Sequence, residues 1–233
     1  MATGLQTILN YCNSLEINRR KMVGIQYTRN EIPRVSATPT LNPWRMTLEV
    51  PSKFKYYQAR DLMETLDTLD RITPQIITFS DLPQLNWIFR YQGAMSTAQL
   101  NTITVTSFIG NQLTLNVSGI TAASTAVLFE KNDLIQIGSL GVHPYPFTSA
   151  TQVLRGSGST VVVTTNRPNI LTGTLTGLGI IVGNPCQFTM FCPNMPTYVL
   201  KPGGQAMSGR TLINNAYLEF SEPFELYEWV GAA

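Results

Sequence analysis

The chain has 233 residues, of which 13% are charged and 43% hydrophobic, with 16 basic residues against 14 acidic ones and a formal net charge of +2. That length can bury a full core, either as one large β domain or as two smaller ones. Charge so near balance excludes the broad positive field that draws a protein to a phosphate backbone, so no direct nucleic-acid binding is expected.

From Met1 to Leu15 the apolar residues Leu5, Ile8, Leu9, Cys12 and Leu15 recur at three and four, which predicts a short amphipathic helix. Arg19, Arg20 and Lys21 form a brief basic run of the kind found at a solvated turn or an interface rim. Lys21 to Tyr27 alternates weakly and reads as a strand. Pro33, Pro39 and Pro43 then punctuate an extended connection, and Arg29 to Asn42 is a candidate arm along a partner subunit. Deleting residues 1 to 40 is expected to leave a soluble, β-rich protein that no longer enters its assembly, and normal assembly of that truncation would refute the arm.

Trp44, Met46, Leu48 and Val50 alternate with Arg45, Thr47 and Glu49 as a half-buried strand requires, and Pro51 stops the run. Ser52 is placed to cap a helix reaching about Arg71, with Ala59, Leu62, Met63, Leu66 and Leu69 on one face. Pro74 ends it. Strands are predicted at Gln75 to Phe79 and at Leu85 to Tyr91, the second with Trp87 among its core-facing residues.

Past Gly93 the texture changes to short Thr-rich and Val-rich runs with turn residues every ten or so positions, and no helix is expected there. The predicted strands are Thr102 to Phe108, Asn111 to Val117, Val127 to Phe129, Leu134 to Ile137, Gln152 to Leu154 and Thr160 to Thr165. Beyond Pro185, Gln187 to Cys192, Thr197 to Leu200, Ala216 to Phe220 and Phe224 to Trp229 restore the aromatic-rich style of the first half. The expected fold is therefore mainly β, a barrel or sandwich with one flanking helix near 52–71. Its parts are a discontinuous domain of residues 1–97 and 184–233 and an inserted small β domain of residues 98–183.

Little in the chain points to catalysis. Its one histidine, His143, lies in Gly-Val-His-Pro-Tyr-Pro and reads as a turn residue, because no nucleophile and orienting carboxylate are marked for it. Gly156 to Ser159 and the glycines at 173, 177, 179 and 183 lack the Gly-Lys-Ser/Thr end of a phosphate cradle and read as turns. The expectation is thus no enzyme, no cofactor, no metal and no catalytic residue. Cys12, Cys186 and Cys192 are odd in number and widely spaced, which fits a reducing compartment, with Cys186 and Cys192 able to pair only if strand geometry allows. No run of about 18 apolar residues and no leader pattern occurs, so a soluble chain that does not bind membranes is expected.

The charged share is well below the roughly 25% usual in soluble domains, and Thr, Asn, Gln and Ser fill the gap. Neutral polar surfaces cost less to desolvate against a neighbour than Lys and Glu surfaces do, which suits life inside an assembly. Glu219, Glu222, Glu225 and Glu228 fall three apart among aromatics. Strand periodicity puts neighbours in that series on opposite faces, so they read as a strand edge or subunit contact rather than a paired-acid site. Arg29, Arg34, Pro39, Glu225 and Trp229 are the candidate interface residues.

Asn42-Pro43-Trp44-Arg45-Met46-Thr47-Leu48-Glu49-Val50-Pro51, a Leu-rich and Ala-rich helix, and Gln75-Ile76-Ile77-Thr78-Phe79 together resemble tail-tip and baseplate ring proteins of tailed bacteriophages. Phe129 to Gly138, Tyr145-Pro146-Phe147, Val153 to Gly158, Val161-Val162-Val163 and Arg167-Pro168 resemble the inserted β module of that family, with Asn132 where Gly is usual. The resemblance spans about residues 42 to 229. It implies a tail-tube-like barrel or sandwich in a virion, assembled with copies of itself into a six-fold ring and contacting the tail tube and other baseplate proteins. It implies no catalytic residues. A tail-tube, tube-initiator or head-completion subunit is the nearest alternative, and a carbohydrate-binding or receptor-binding module is the alternative of another class.

Overall fold

The computed structural model describes residues 4–18, 23–27, 33–37, 43–51, 54–69, 73–80, 84–139, 141, 144–201, 205–208, 211–214 and 217–230. In chain order the elements begin with α1 (Gly4–Asn10), β1 (Ser14–Asn18), β2 (Val23–Tyr27), β3 (Pro33–Ala37), β4 (Arg45–Glu49), β5 (Phe54–Lys55), α2 (Tyr56–Thr68) and β6 (Gln75–Thr78). The middle of the chain gives α3 (Thr97–Leu100), β7 (Thr104–Ile109), β8 (Gln112–Asn116), β9 (Val127–Phe129), β10 (Leu134–Ile137), β11 (Phe147–Thr148), β12 (Val153–Leu154), β13 (Thr160–Thr164) and β14 (Ile180–Val182). Then come β15 (Gln187–Phe191), β16 (Tyr198–Lys201), β17 (Gln205–Ser208), β18 (Thr211–Asn214), β19 (Tyr217–Phe220) and β20 (Phe224–Glu228). The chain is mainly β. Its strands form separate antiparallel sheets, and none closes into a barrel among the described residues.

Two compact units result, one of residues 1–19, 43–77 and 190–229, the other of residues 20–42, 78–189 and 230–233. The first is built on a sheet of order β1-β4-β20-β15-β6. Alternation fixes which way β4 and β20 face, because Met46, Leu48, Phe224 and Leu226 are buried while Glu49 and Glu225 are exposed. Leu5, Ile8 and Leu9 of α1 are buried, as are Leu62 and Leu66 of α2. Each such side chain stabilises the fold by about 1.5–3 kcal/mol on removal from water. Helix α2 starts at Tyr56 with Lys55 as its N-cap, and no side chain caps it. The expected cap, Ser52, lies outside the described residues.

Residues 4–18 are built into the first unit. Besides the buried α1, strand β1 pairs with β4 from Ser14↔Glu49 to Asn18↔Arg45. That last pair also closes an excursion, since everything from Arg19 to Trp44 leaves and re-enters the sheet at facing positions. Within the excursion β2 and β3 pair from Val23↔Ala37 to Tyr27↔Pro33. The segment expected as an extended connection therefore contains the second strand of a hairpin. Proline is tolerated at Pro33 because it opens the strand.

The second unit contains the sheets β13-β8-β7 and β11-β10-β14 and the pair β12-β9. Val105, Leu115, Phe129, Ile135, Phe147 and Val163 belong to one buried cluster. Gly110, at φ 56°, opens the Gly110-Asn111 turn between paired Ile109 and Gln112, as a turn with a left-handed first residue demands. Short α3 was not expected. Ser96 accepts from the Gln99 backbone N–H while the Gln99 side chain accepts from the Ser96 backbone, a capping box.

Leu85 to Tyr91 is not a strand. Ile88 N–H donates to Leu85 O and Arg90 N–H to Trp87 O, so the segment turns, and Trp87 is 67% exposed rather than packed in a core. Leu85 is buried, and Phe89 packs near Phe79 and Phe188 at 5.2 and 5.6 Å between ring centroids. Aromatic content was right, but no neighbouring strand completes a ladder here among the described residues.

Asp133 ties two parts of the second unit together. Its Oδ1 accepts from Gln92 N–H at 2.9 Å and its Oδ2 from Glu130 N–H at 2.8 Å, beside Asn132 at φ 74°. Burial is the largest influence on its carboxyl and raises the pKa, while the backbone donors lower it. With the folded pKa above the unfolded one, the native state holds the proton longer. Its contribution to stability is greatest in acid and declines as pH rises through the folded value. Asp133→Asn replaces one acceptor with a donor aimed at an N–H, so urea unfolding at neutral pH is expected to show a loss of about 1–3 kcal/mol. The same variant should lose Asp133's share of the pH slope in the acid range.

Candidate functional site

Two of the five sequence-predicted interface residues, Glu225 and Trp229, lie at the outward face of the sheet in the first unit. Glu16 of β1 and Glu225 of β20 both stand opposite Thr47 of β4, so the three lie in one row across neighbouring strands. Two strand spacings separate the glutamates, about 9.5 Å between their backbones. One row away, Asn18 faces Arg45, Arg45 faces Tyr227, and Tyr227 faces Phe191. Glu16, Glu49 and Glu225 are exposed.

The second row is aromatic. Phe191 lies 6.1 Å from the Tyr227 ring and 5.8 Å from the Trp229 ring, the latter edge to face, and the Arg45 guanidinium sits 5.2 Å from the Tyr227 centroid. Tyr227 donates its hydroxyl to Glu225 Oε2 at 2.8 Å, and this bond is the main reason its pKa is raised. Trp229 is 49% exposed. Between the rows a cavity of about 160 Å³ is lined by Glu16, Asn18, Arg45, Thr47, Glu225 and Tyr227. A second, of about 290 Å³, includes Glu49 and Glu222. Carboxylates beside an exposed indole offer acceptors to cationic donors and a π face to guanidinium groups.

The four C-terminal glutamates separate as the strand period requires. Glu225 points outward, whereas Glu228 is buried and accepts from Trp44 N–H at 2.9 Å. Glu219 is salt-bridged to Lys201 across β16 and β19. Of the other interface candidates, Arg34 lies on β3 opposite Gln26. Arg29 and Pro39 lie outside the described residues, as does His143. Glu16 and Glu49 were overlooked, although register could have placed them once β1 was recognised.

The glycine stretch at 156–159 is a braced turn. Arg155 donates to Gly156 O, Gly158 O and Ile120 O, with Gly156 at φ 67°. In the second unit a cavity of about 490 Å³ is lined by Arg90, Tyr91, Met95, Leu100 and Ile181, among others. Tyr91 donates to Leu128 O there, and burial pushes its pKa up to about 12. Cys12, Cys186 and Cys192 are all buried, and no disulfide joins Cys186 to Cys192. Among the described residues no three His, Cys, Asp or Glu side chains converge to hold a metal, and no helix is long and apolar enough to cross a membrane.

No protein-family model matches the chain, and no curated protein matches its sequence.

Proposed function

We propose that the chain is a structural virion subunit of a bacteriophage tail, a ring component of the baseplate or tail tip that joins the tail tube to neighbouring proteins. One observation supports an assembled role above others. Ile109, Leu154, Val162, Val199 and Leu200 are large, exposed aliphatics, and all lie on β7, β12, β13 or β16, strands at the ends of their sheets, of which β7 is already bonded along part of its outer side to Gly177 and Leu178. Free-standing proteins guard such edges with charge or proline, because an open edge recruits another chain. Here Lys201 is the only charged residue within those four strands. Edges left apolar are suited to being covered by a neighbour, through main-chain pairing or side-chain packing. Assignment to a phage tail rests on the sequence resemblance.

The decisive experiment labels the C-terminus and images intact particles, with signal expected at one end of the tail. Label on the head or on no particle would overturn the assignment. Excising residues 20–42 and closing Arg19 to Pro43 with a short Gly-containing turn should keep the first unit folded, because Asn18 and Arg45 already face one another. That variant is expected to be excluded from particles, and normal incorporation would refute an assembly role for the excursion.

A carbohydrate-binding role draws on the exposure of Trp87 and Trp229. Glycan binding by the isolated chain, abolished by Trp87→Ala, would decide for it.

A further inference from the structure

The chain's charge is split between two of its parts. Between Arg19 and Arg34 lie five basic residues, Arg19, Arg20, Lys21, Arg29 and Arg34, against one acidic residue, Glu31, a net of +4. Glu16, Glu49, Glu222 and Glu225 stand on or beside the outward face of the first unit's sheet, where Arg45 is engaged on the Tyr227 ring. A chain close to neutral overall thus carries a concentrated positive segment and a concentrated negative face.

We infer that this sheet face is the docking site for the β2–β3 hairpin segment of a second copy of the chain. The inference rests on the ring reading above and specifies its contact. Charge complementarity selects the occupant. Four of the five cations are arginines, whose planar forks suit carboxylates such as Glu16 and Glu225 and stack on rings such as Trp229. The hairpin leaves one copy at Asn18 and returns at Arg45, both on strands of that copy's own sheet. Each copy therefore carries one cationic segment and one acidic face, which are different parts of the chain. Such a head-to-tail contact repeats from copy to copy and closes a ring when the rotation permits.

The test uses full-length protein and two charge-reversed variants, Glu16→Lys with Glu49→Lys and Glu225→Lys on the face and Arg20→Glu with Arg29→Glu and Arg34→Glu on the arm. Sedimentation velocity should show wild type associating at about 50 mM salt and loosening at about 500 mM, where the screening length falls to a few ångströms. Each variant alone opposes like charge to like charge and should associate at least about 10-fold more weakly. Mixed in equal amounts, the two present opposite charges at every arm-to-face contact, so association should return to the wild-type level. Recovery in the mixture also shows that both variants fold. Wild-type association surviving both reversals, a mixture that stays monomeric, or a wild type monomeric at low salt would each overturn the contact. Particle labelling decides the tail assignment separately, since copies can associate through this contact in any assembly.

Discussion

Arg167→Ala is expected to destabilise the second unit by about 3–5 kcal/mol, the largest effect of any single polar substitution there. Arg167 is 1% exposed, its guanidinium lies 3.7 Å from the Tyr145 ring centroid, and its Nη2 donates to Pro146 O. A desolvated cation–π contact contributes about 2 kcal/mol and a charged hydrogen bond about 1.5–3 kcal/mol. Tyr145 in turn donates to Pro168 O at 3.0 Å, so ring and guanidinium hold the 145–147 and 167–168 segments together. Hydrogen exchange at the β11 and β13 amides is the suitable readout, because a two-unit chain need not unfold in one step. Arg167→Met, which keeps much of the stem volume, should cost less than Ala. Unchanged protection in the Ala variant would show that the guanidinium does not brace these segments.

Trp44→Ala should have a comparable effect on the first unit, about 3–5 kcal/mol, as expected for deleting a buried aromatic. Trp44 is 1% exposed, and its backbone is clamped at both ends to Glu228, whose N–H donates to Trp44 O at 2.9 Å while its carboxylate accepts from Trp44 N–H. Fluorescence gives a second check. Trp87 and Trp229 are 67% and 49% exposed, so Trp44 is the buried emitter and its removal should shift the emission to the red. Emission unchanged in position would contradict burial of Trp44.

The β4 strand was legible because its apolar residues alternate without interruption between Pro43 and Pro51, and burial follows that alternation. Strands β8, β9, β10 and β13 were legible for a related reason, being short apolar or β-branched runs bounded by turn residues. The same rule failed at Leu85 to Tyr91, whose alternating pattern is as regular, because periodicity reports which side chains are apolar and not whether a ladder partner exists. Ser96-x-x-Gln99 carried the signal for α3 openly, as Ser followed three residues later by Gln. Strand β1 was hidden by the periodicity of Leu5, Ile8, Leu9, Cys12 and Leu15, which runs past the end of α1 at Asn10. That miss concealed the candidate face as well, since Glu16 and Thr47 become neighbours only through β1–β4 register. Glu225 and Trp229 were candidates from the glutamate spacing and from position in the chain, but their shared face depends on pairing between strands far apart in sequence.

The facing pair Asn18 and Arg45 has a consequence for how this protein can vary. Because the ladder clamps both ends of the excursion, residues can be added to or removed from its tip without altering any strand of the five-stranded sheet. Lengthening the hairpin by one residue on each side would extend its span by about 3.4 Å while leaving its root in place. Under the proposed docking of this segment on a second copy, insertions at the tip would set the separation between copies while leaving the five-stranded sheet unchanged.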